Sequence, residues 1–250
     1  LRTKKFRTMD WSSLKIMVWG ASGASQKLIE ILQATSKAAG FRLATSYGST
    51  EVAGLITITD PDLSAESLTS NLGKPLPNCE VKIVDERRQP VPTGTVGELA
   101  VRGGFVMKEY YNNIPATAAV LDAEGWFYTR DLCYLDENGD IHIAGRSSEM
   151  YKTAGENVYP REVESVLETF PGVAMTAVIG VPNELYGEVG HAFVMPVPGV
   201  ELNEKDLRQH CLGHLAKCKA PKKLEFRAEM PLLGNGKVNK PVLRKELGLK

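Results

Sequence analysis

Residues 145–164 read Gly-Arg-Ser-Ser-Glu-Met-Tyr-Lys-Thr-Ala-Gly-Glu-Asn-Val-Tyr-Pro-Arg-Glu-Val-Glu. An arginine beside a glycine leads into the polar run Ser147-Ser148-Glu149, then a second glycine, Gly155, and then Pro160. Proline suits the first turn of a helix, where its missing N–H is no loss, and Val163, Val166, Leu167 and Phe170 follow at helical spacing. The stretch has the composition of a nucleotide-contacting hinge at which one domain hands over to the next. By itself it also reads as an ordinary strand, turn and helix, so its surroundings decide.

Beyond the joint, apolar runs at 174–181 and 189–197 predict strands, 203–217 a helix and 223–227 a short strand before the loop Gly234-Asn235-Gly236-Lys237. Residues 146–250 are therefore expected to form a compact α+β domain, hinged near 147–149. Before the joint, 14–19 reads as a strand ending in the turn Gly20-Ala21-Ser22-Gly23-Ala24. A helix starts near Ser25, with Leu28, Ile31 and Leu32 as its apolar face and Gly40 as its stop. Residues 41–46 form the next strand and run into Tyr47-Gly48-Ser49-Thr50-Glu51. A strand, helix, strand unit implies parallel strands, and both glycine-bearing loops then lie at strand carboxyl ends, the edge where open α/β sheets bind ligands. Short alternating runs over 72–145, with the hairpin signal Asn138-Gly139, predict a small antiparallel sheet or barrel-like subdomain. The fold class is thus α/β over 1–71, a β subdomain to 145, and α+β after it.

The 250 residues carry 30 basic and 30 acidic side chains, so net charge gives no reason to expect a nucleic-acid partner. Charge is uneven, however. Residues 205–250 hold twelve Lys or Arg against four Asp or Glu, a net of +8, which suits a polyphosphate ligand as well as a solvated face. No apolar run is long enough for a transmembrane helix. Four cysteines without a Cys-x-x-Cys pair give no disulfide framework, and a cytoplasmic protein is the simplest expectation. The first residue is Leu1, which suggests a piece of something longer.

Three constellations carry chemistry. In Tyr47-Gly48-Ser49-Thr50-Glu51 a ring can stack on a purine, a glycine lets backbone approach a phosphate, a hydroxyl can donate to it, and a carboxylate can hold Mg2+. In Gly125-Trp126-Phe127-Tyr128-Thr129-Arg130-Asp131-Leu132 the carboxylate offers paired acceptor sites. Gly234-Asn235-Gly236-Lys237 presents a lysine on a turn, weak on its own and informative only by its order after the others.

Together with the joint, these motifs closely resemble, in order, those of the adenylate-forming superfamily of acyl-CoA synthetases, luciferases and peptide-synthetase adenylation domains. The resemblance covers nearly the whole chain. It implies that Tyr47 lies on adenine, Thr50 contacts the α-phosphate, and Glu51 binds the metal, with Gly48 among the nucleotide-binding residues. The stretch 22–27, by its place between strand and helix, resembles the family's Gly-Gly-Ala segment, which lines the adenine and acyl pockets, and Gly20, Ala21 and Ser22 are expected to bind nucleotide. Asp131 would accept both ribose hydroxyls, Arg146 would reach ribose or phosphate, and Glu149 would be the pivot. Gly155 would leave room for the pantetheine arm of coenzyme A, and Lys237 would be the catalytic lysine. The family commonly has Gly where this chain has Arg130, and Asp or Lys where it has Glu149. Its Ser/Thr/Gly-rich loop for the β- and γ-phosphates has no counterpart here, so an upstream portion of the same enzyme is expected ahead of Leu1, and the fragment alone should be inactive.

The resemblance implies a ligase: ATP-dependent activation of a carboxylic acid, fatty or related, to acyl-AMP, then transfer to coenzyme A. ATP, Mg2+ and coenzyme A are its expected cofactors and substrates. A non-catalytic nucleotide-binding module derived from the fold, or an adenylate-forming enzyme with another acceptor, is the alternative. His210, Cys211, His214 and Cys218 imitate a zinc site, but Cys211 and Cys218 share a helical stripe with Leu207 and Leu215, so the thiols are expected in the core.

Overall fold

The computed structural model describes residues 8–20, 24, 26–61, 63–234 and 236–249. Contacts divide the chain into two units. The first takes the described residues up to Thr95 with Leu99–Thr129 and Tyr134–Ile143; the second takes Val96–Glu98, Arg130–Cys133 and the residues from Ala144 on.

In the first unit, β1 (Ile16–Trp19), α1 (Gln26–Ala39) and β2 (Arg42–Tyr47) form the expected strand, helix, strand sequence. β1 and β2 are parallel, in register from Ile16 opposite Arg42 to Trp19 opposite Thr45. Gly40 ends α1 at φ +79° and returns its N–H to the Ser36 carbonyl at 2.8 Å. The expected cap, Ser25, lies outside the described residues. The buried face of α1 is set by Ile29 and Leu32, while Ile31, expected on that face, is exposed. A helical stripe through 28, 32 and 36 leaves position 31 on its flank, and here the flank faces water.

β3 (Thr57–Ile58), β4 (Asn71–Pro75), β5 (Glu80–Val84), β6 (Gly97–Arg102), β7 (Phe127–Leu135) and β8 (Ile141–Arg146) continue the same sheet, in the order β1-β2-β3-β4-β8-β7-β6-β5. β2–β3, β3–β4 and β4–β8 are antiparallel. The barrel-like expectation for 72–145 is therefore corrected: among the described residues these strands extend a mixed open sheet and do not close on themselves. The Asn138-Gly139 hairpin forms as expected. The Asp136 carboxylate accepts the N–H groups of Asn138 and Asp140, both at 2.9 Å, and Gly139 takes φ +80°.

The second unit is built on β9 (Tyr151–Thr153), β10 (Glu156–Val158), β11 (Val173–Asn183), β12 (Gly187–Pro196) and β13 (Lys223–Phe226), ordered β10-β9-β12-β11 with β13 parallel to β12. Strand alternation sorts its core into two layers. Val178, Ala192 and Val194 face α3 (Pro160–Thr169) and α4 (Glu204–His214) through Val163, Leu167, Leu207 and Cys211. Ala177, Ile179 and Phe193 face the other way, onto Met230 and Leu243 of α5 (Lys240–Glu246). Cys211 lies in the core with Leu207, and burial pushes its thiol up to about 11, whereas Cys218, expected on the same stripe, lies beyond the end of α4 and is only partly buried.

Lys240, the first residue of α5, ties distant segments together. Its ammonium lies 2.8 Å from Oε1 of the buried Glu164 on α3 and also donates to Oε2 of Glu149 in the joint. Glu164 Oε1 accepts the N–H of Val178 at 2.9 Å as well. Burial disfavours the charged lysine, but the carboxylates of Glu164 and Glu149 outweigh it and hold the ammonium above its usual range. That stabilisation is complete below the ordinary lysine value and is lost only as pH rises through the raised one. Lys240→Met should leave two carboxylates facing each other without a cation and cost about 3–5 kcal/mol, read as a lower urea midpoint at neutral pH.

Candidate functional site

The carboxyl edge of the β1–β2 pair gathers the first cluster, all within one unit. Gly20 follows β1 so closely against β2 that a Cβ there would come within 2.8 Å of the Ser46 carbonyl oxygen. Ala21 and Ser22, expected beside it, lie outside the described residues. After Tyr47 the chain doubles back. Ile56 N–H donates to the Tyr47 carbonyl at 2.9 Å, and Gly54 N–H donates to that of Ser49 at 2.9 Å. Gly48 sits in the crook, where a Cβ would fall 1.7 Å from the Gly54 carbonyl oxygen, so no other residue fits this path. A single 3-10 turn, Thr50–Val52, follows, anchored by the buried Val52. Thr50 is exposed, and Glu51 is half-buried beside it.

Glu51 is gripped at both ends by one segment. Its Oε1 accepts the Tyr110 hydroxyl at 2.9 Å, and its carbonyl accepts the Met107 N–H at 2.6 Å. Mg2+ binds through one or two carboxylates plus substrate phosphates rather than in a protein cage. A lone carboxylate oxygen pair fits that mode, and the described residues contain no group of three or more His, Cys, Asp and Glu that could hold a metal alone.

The second unit carries the other candidates. Asp131 lies on β7, 5 % exposed, and its Oδ1 accepts Nε of Arg146, at the end of β8, at 3.0 Å. These two residues, expected at the ribose, are in direct contact. Arg130 adopts the left-handed region, φ +63°, which is the conformation a glycine would supply. Its N–H donates to Glu98 at 2.7 Å, and its carbonyl accepts both the N–H and the hydroxyl of Ser147, at 3.0 and 3.2 Å. The glycine-like backbone path is thus kept with an arginine on it.

Downstream, the N–H groups of Glu149 and Met150 both donate to the Arg146 carbonyl at 3.1 Å, which turns the chain towards β9. Ala154 and Gly155 close the β9–β10 hairpin with φ +52° and +88°. No atom lies within 4 Å of a Cβ built on Gly155, so the turn requires glycine for its dihedral while the space beside it is open. Lys237 follows Gly236, at φ +82°, and its carbonyl accepts the Leu233 N–H at 2.8 Å, making a tight loop beside the Leu232–Val238 bridge. Sequence reading did not identify Tyr110, Lys240 or Glu164. Nothing in local spacing marks them, since each matters only through a partner distant along the chain.

Comparison with known proteins bears on these clusters. The AMP-binding enzyme family model matches residues 1–111, and the AMP-binding enzyme C-terminal domain model matches residues 162–237. A 3-[(3aS,4S,7aS)-7a-methyl-1,5-dioxo-octahydro-1H-inden-4-yl]propanoyl:CoA ligase of Mycobacterium tuberculosis is 39% identical over 97% of this chain and 45% of its own length. The amide bond synthetase of Marinactinospora thermotolerans superposes with a TM-score of 0.88 at 33% identity, over 98% of this chain and 50% of that one. The o-succinylbenzoate CoA synthetase of Bacillus subtilis, solved with its acyl-adenylate intermediate, gives 0.82 at 34% identity, over 92% of this chain and 46% of that one. The chain spans about half the length of the curated relatives it matches.

The left-handed backbone of Arg130 yields a stability test independent of ligands. Arg130→Gly should be more stable than Arg130→Ala by about 1 kcal/mol, the reverse of the order at an ordinary strand position, because only glycine adopts this φ without strain. Urea denaturation of the two variants measures the difference; alanine equal to or better than glycine would contradict it.

Proposed function

Because the chain belongs to the family of AMP-binding enzymes, we propose that the whole protein activates a carboxylic acid with Mg·ATP to an acyl-adenylate and pyrophosphate, then transfers the acyl group to the thiol of coenzyme A. The observation that carries the reading is the Tyr47–Glu51 turn at the carboxyl edge of the parallel strands, with its glycine packed too tightly for any side chain. Relatives named as CoA ligases support coenzyme A as acceptor.

In this reading each residue has one task. Tyr47 stacks on adenine, Gly48 lets the backbone near the α-phosphate, and Thr50 donates to it. Glu51 supplies a hard oxygen to Mg2+, which, when bound, neutralises phosphate charge. Asp131 accepts the ribose hydroxyls while Arg146, at 3.0 Å, orients its carboxylate. Lys237 stabilises negative charge that grows at the α-phosphorus as the carboxylate oxygen attacks and pyrophosphate leaves. Glu149 is the pivot about which the small domain changes pose between the half-reactions, and the open space at Gly155 admits the pantetheine arm. A fatty or related acid and the cytoplasmic setting expected from the cysteines complete the proposal. The likeness to an amide bond synthetase favours a second reading with the same first step and an amine as acceptor.

Acid-dependent pyrophosphate release, assayed with ATP, a panel of short, long and aromatic acids, and either coenzyme A or amines, tests the function in a protein spanning the relatives' full length. Thioester formation supports the first reading, amide formation the second, and the absence of acid-dependent pyrophosphate for every acid refutes both. Lys237→Ala should slow adenylation by at least about 100-fold and spare thioester formation from supplied acyl-adenylate, because only the first step places charge beside that ammonium. Equal losses in both half-reactions would remove Lys237 from its role. Asp131→Ala should weaken ATP and AMP alike, by about 10-fold or more, since both share the ribose; calorimetry with each nucleotide reads the comparison, and an effect on ATP alone would point to phosphates.

A further inference from the structure

Two adjacent tyrosines behave differently. Tyr111 is 92 % exposed, whereas Tyr110 turns inward and donates its hydroxyl to Glu51 Oε1 at 2.9 Å, across fifty-nine residues of chain. The inward pose is built and not incidental. Tyr110 N–H donates to Thr117 Oγ1 at 3.0 Å, and that hydroxyl donates to the Asn113 carbonyl at 2.9 Å. Asn113 in turn caps the helix α2 (Ile114–Val120) by accepting the Ala116 N–H at 3.1 Å. The same segment holds the backbone of Glu51 through Met107 at 2.6 Å. A chain of hydrogen bonds therefore runs from a helix cap to one oxygen of a carboxylate.

We propose that Tyr110 is a positioning residue for the Glu51 carboxylate, fixing its orientation towards the divalent cation that accompanies the nucleotide. This rests on the reading of Glu51 as a metal ligand. Mg2+ demands near-ideal octahedral geometry and gives up water reluctantly, so a carboxylate that must first be ordered binds it more weakly than one already aimed. Groups that hydrogen-bond a ligating carboxylate typically contribute about 10–100-fold in metal affinity or activity. Two contacts on one residue, one to the side chain and one to the backbone, fix both its rotamer and its place.

The test uses Mn2+ in place of Mg2+, a non-hydrolysable ATP analogue, and protein in excess over nucleotide, in a protein spanning the relatives' full length. The free Mn2+ signal in electron paramagnetic resonance gives the metal affinity of the bound nucleotide. Tyr110→Phe keeps the ring and removes only the hydroxyl, so it should weaken Mn2+ by about 10-fold while metal-free nucleotide affinity and the thermal midpoint stay near wild type. Glu51→Gln should weaken Mn2+ by at least as much. Normal Mn2+ affinity in Tyr110→Phe, with Glu51→Gln impaired, would overturn the role of Tyr110 alone. Normal affinity in Glu51→Gln would overturn the metal reading of Glu51 and the inference with it. Equal loss of metal-free nucleotide binding in Tyr110→Phe would mean that the hydroxyl supports the loop and not the metal.

Discussion

One partly buried ammonium organises the second unit. Lys240 joins Glu149, ninety-one residues away in the joint, to Glu164 on α3, and Glu164 reaches on to the backbone of β11. The loop that carries Lys237 ends at the residue that makes these contacts, so the candidate catalytic lysine and the candidate pivot share one anchor. An ion pair around a buried carboxylate adds little net stability over an apolar alternative, because desolvating Glu164 and most of Lys240 offsets much of their attraction. What it supplies is a unique arrangement: no apolar trio would select one pose of the Glu149 side chain so sharply.

The contact between Asp131 and Arg146 follows the same logic at shorter range. Arg130 and Ser147 are the neighbours of the two residues along the chain, and the Arg130 carbonyl binds the Ser147 N–H and hydroxyl. Backbone therefore sets the spacing that the side chains use. A carboxylate this close to fully buried needs a partner, and the guanidinium of Arg146 supplies one while fixing its orientation.

Much of this was legible in the sequence, for definable reasons. The parallel pair β1–β2 was readable because two apolar runs flank a helix with a glycine stop, and that geometry admits one connection. Cys211 in the core was readable because Leu207 lies four residues before it on one stripe. The open sheet was not, since alternation gives which residues face inward but not whether the last strand meets the first. Ile31 was assigned to the wrong face because a short helix offers two adjacent stripes and only packing chooses. Tyr110 and Lys240 escaped altogether, as an interaction between residues 51 and 110, or 149 and 240, leaves no periodic trace.

Backbone strain marks the same places independently. Among the described residues, Ala53, Asn78, Arg88, Asn112, Arg130 and Ala154 adopt positive φ without being glycine. Asparagine tolerates this region, so Asn78 and Asn112 need little explanation. Of the remaining four, Ala53 follows the Tyr47–Glu51 turn, Arg130 precedes Asp131, and Ala154 precedes Gly155. Only Arg88 lies elsewhere, in the turn whose N–H groups the Asp85 carboxylate accepts. A strained residue survives when its surroundings over-determine its path, and such residues gather where a loop must hold one shape for a ligand. Ala53 and Arg130 thus lie beside two of the chemistry-bearing segments, Arg130 within β7 itself, and Ala154 lies in the β9–β10 turn that the family resemblance marks through Gly155.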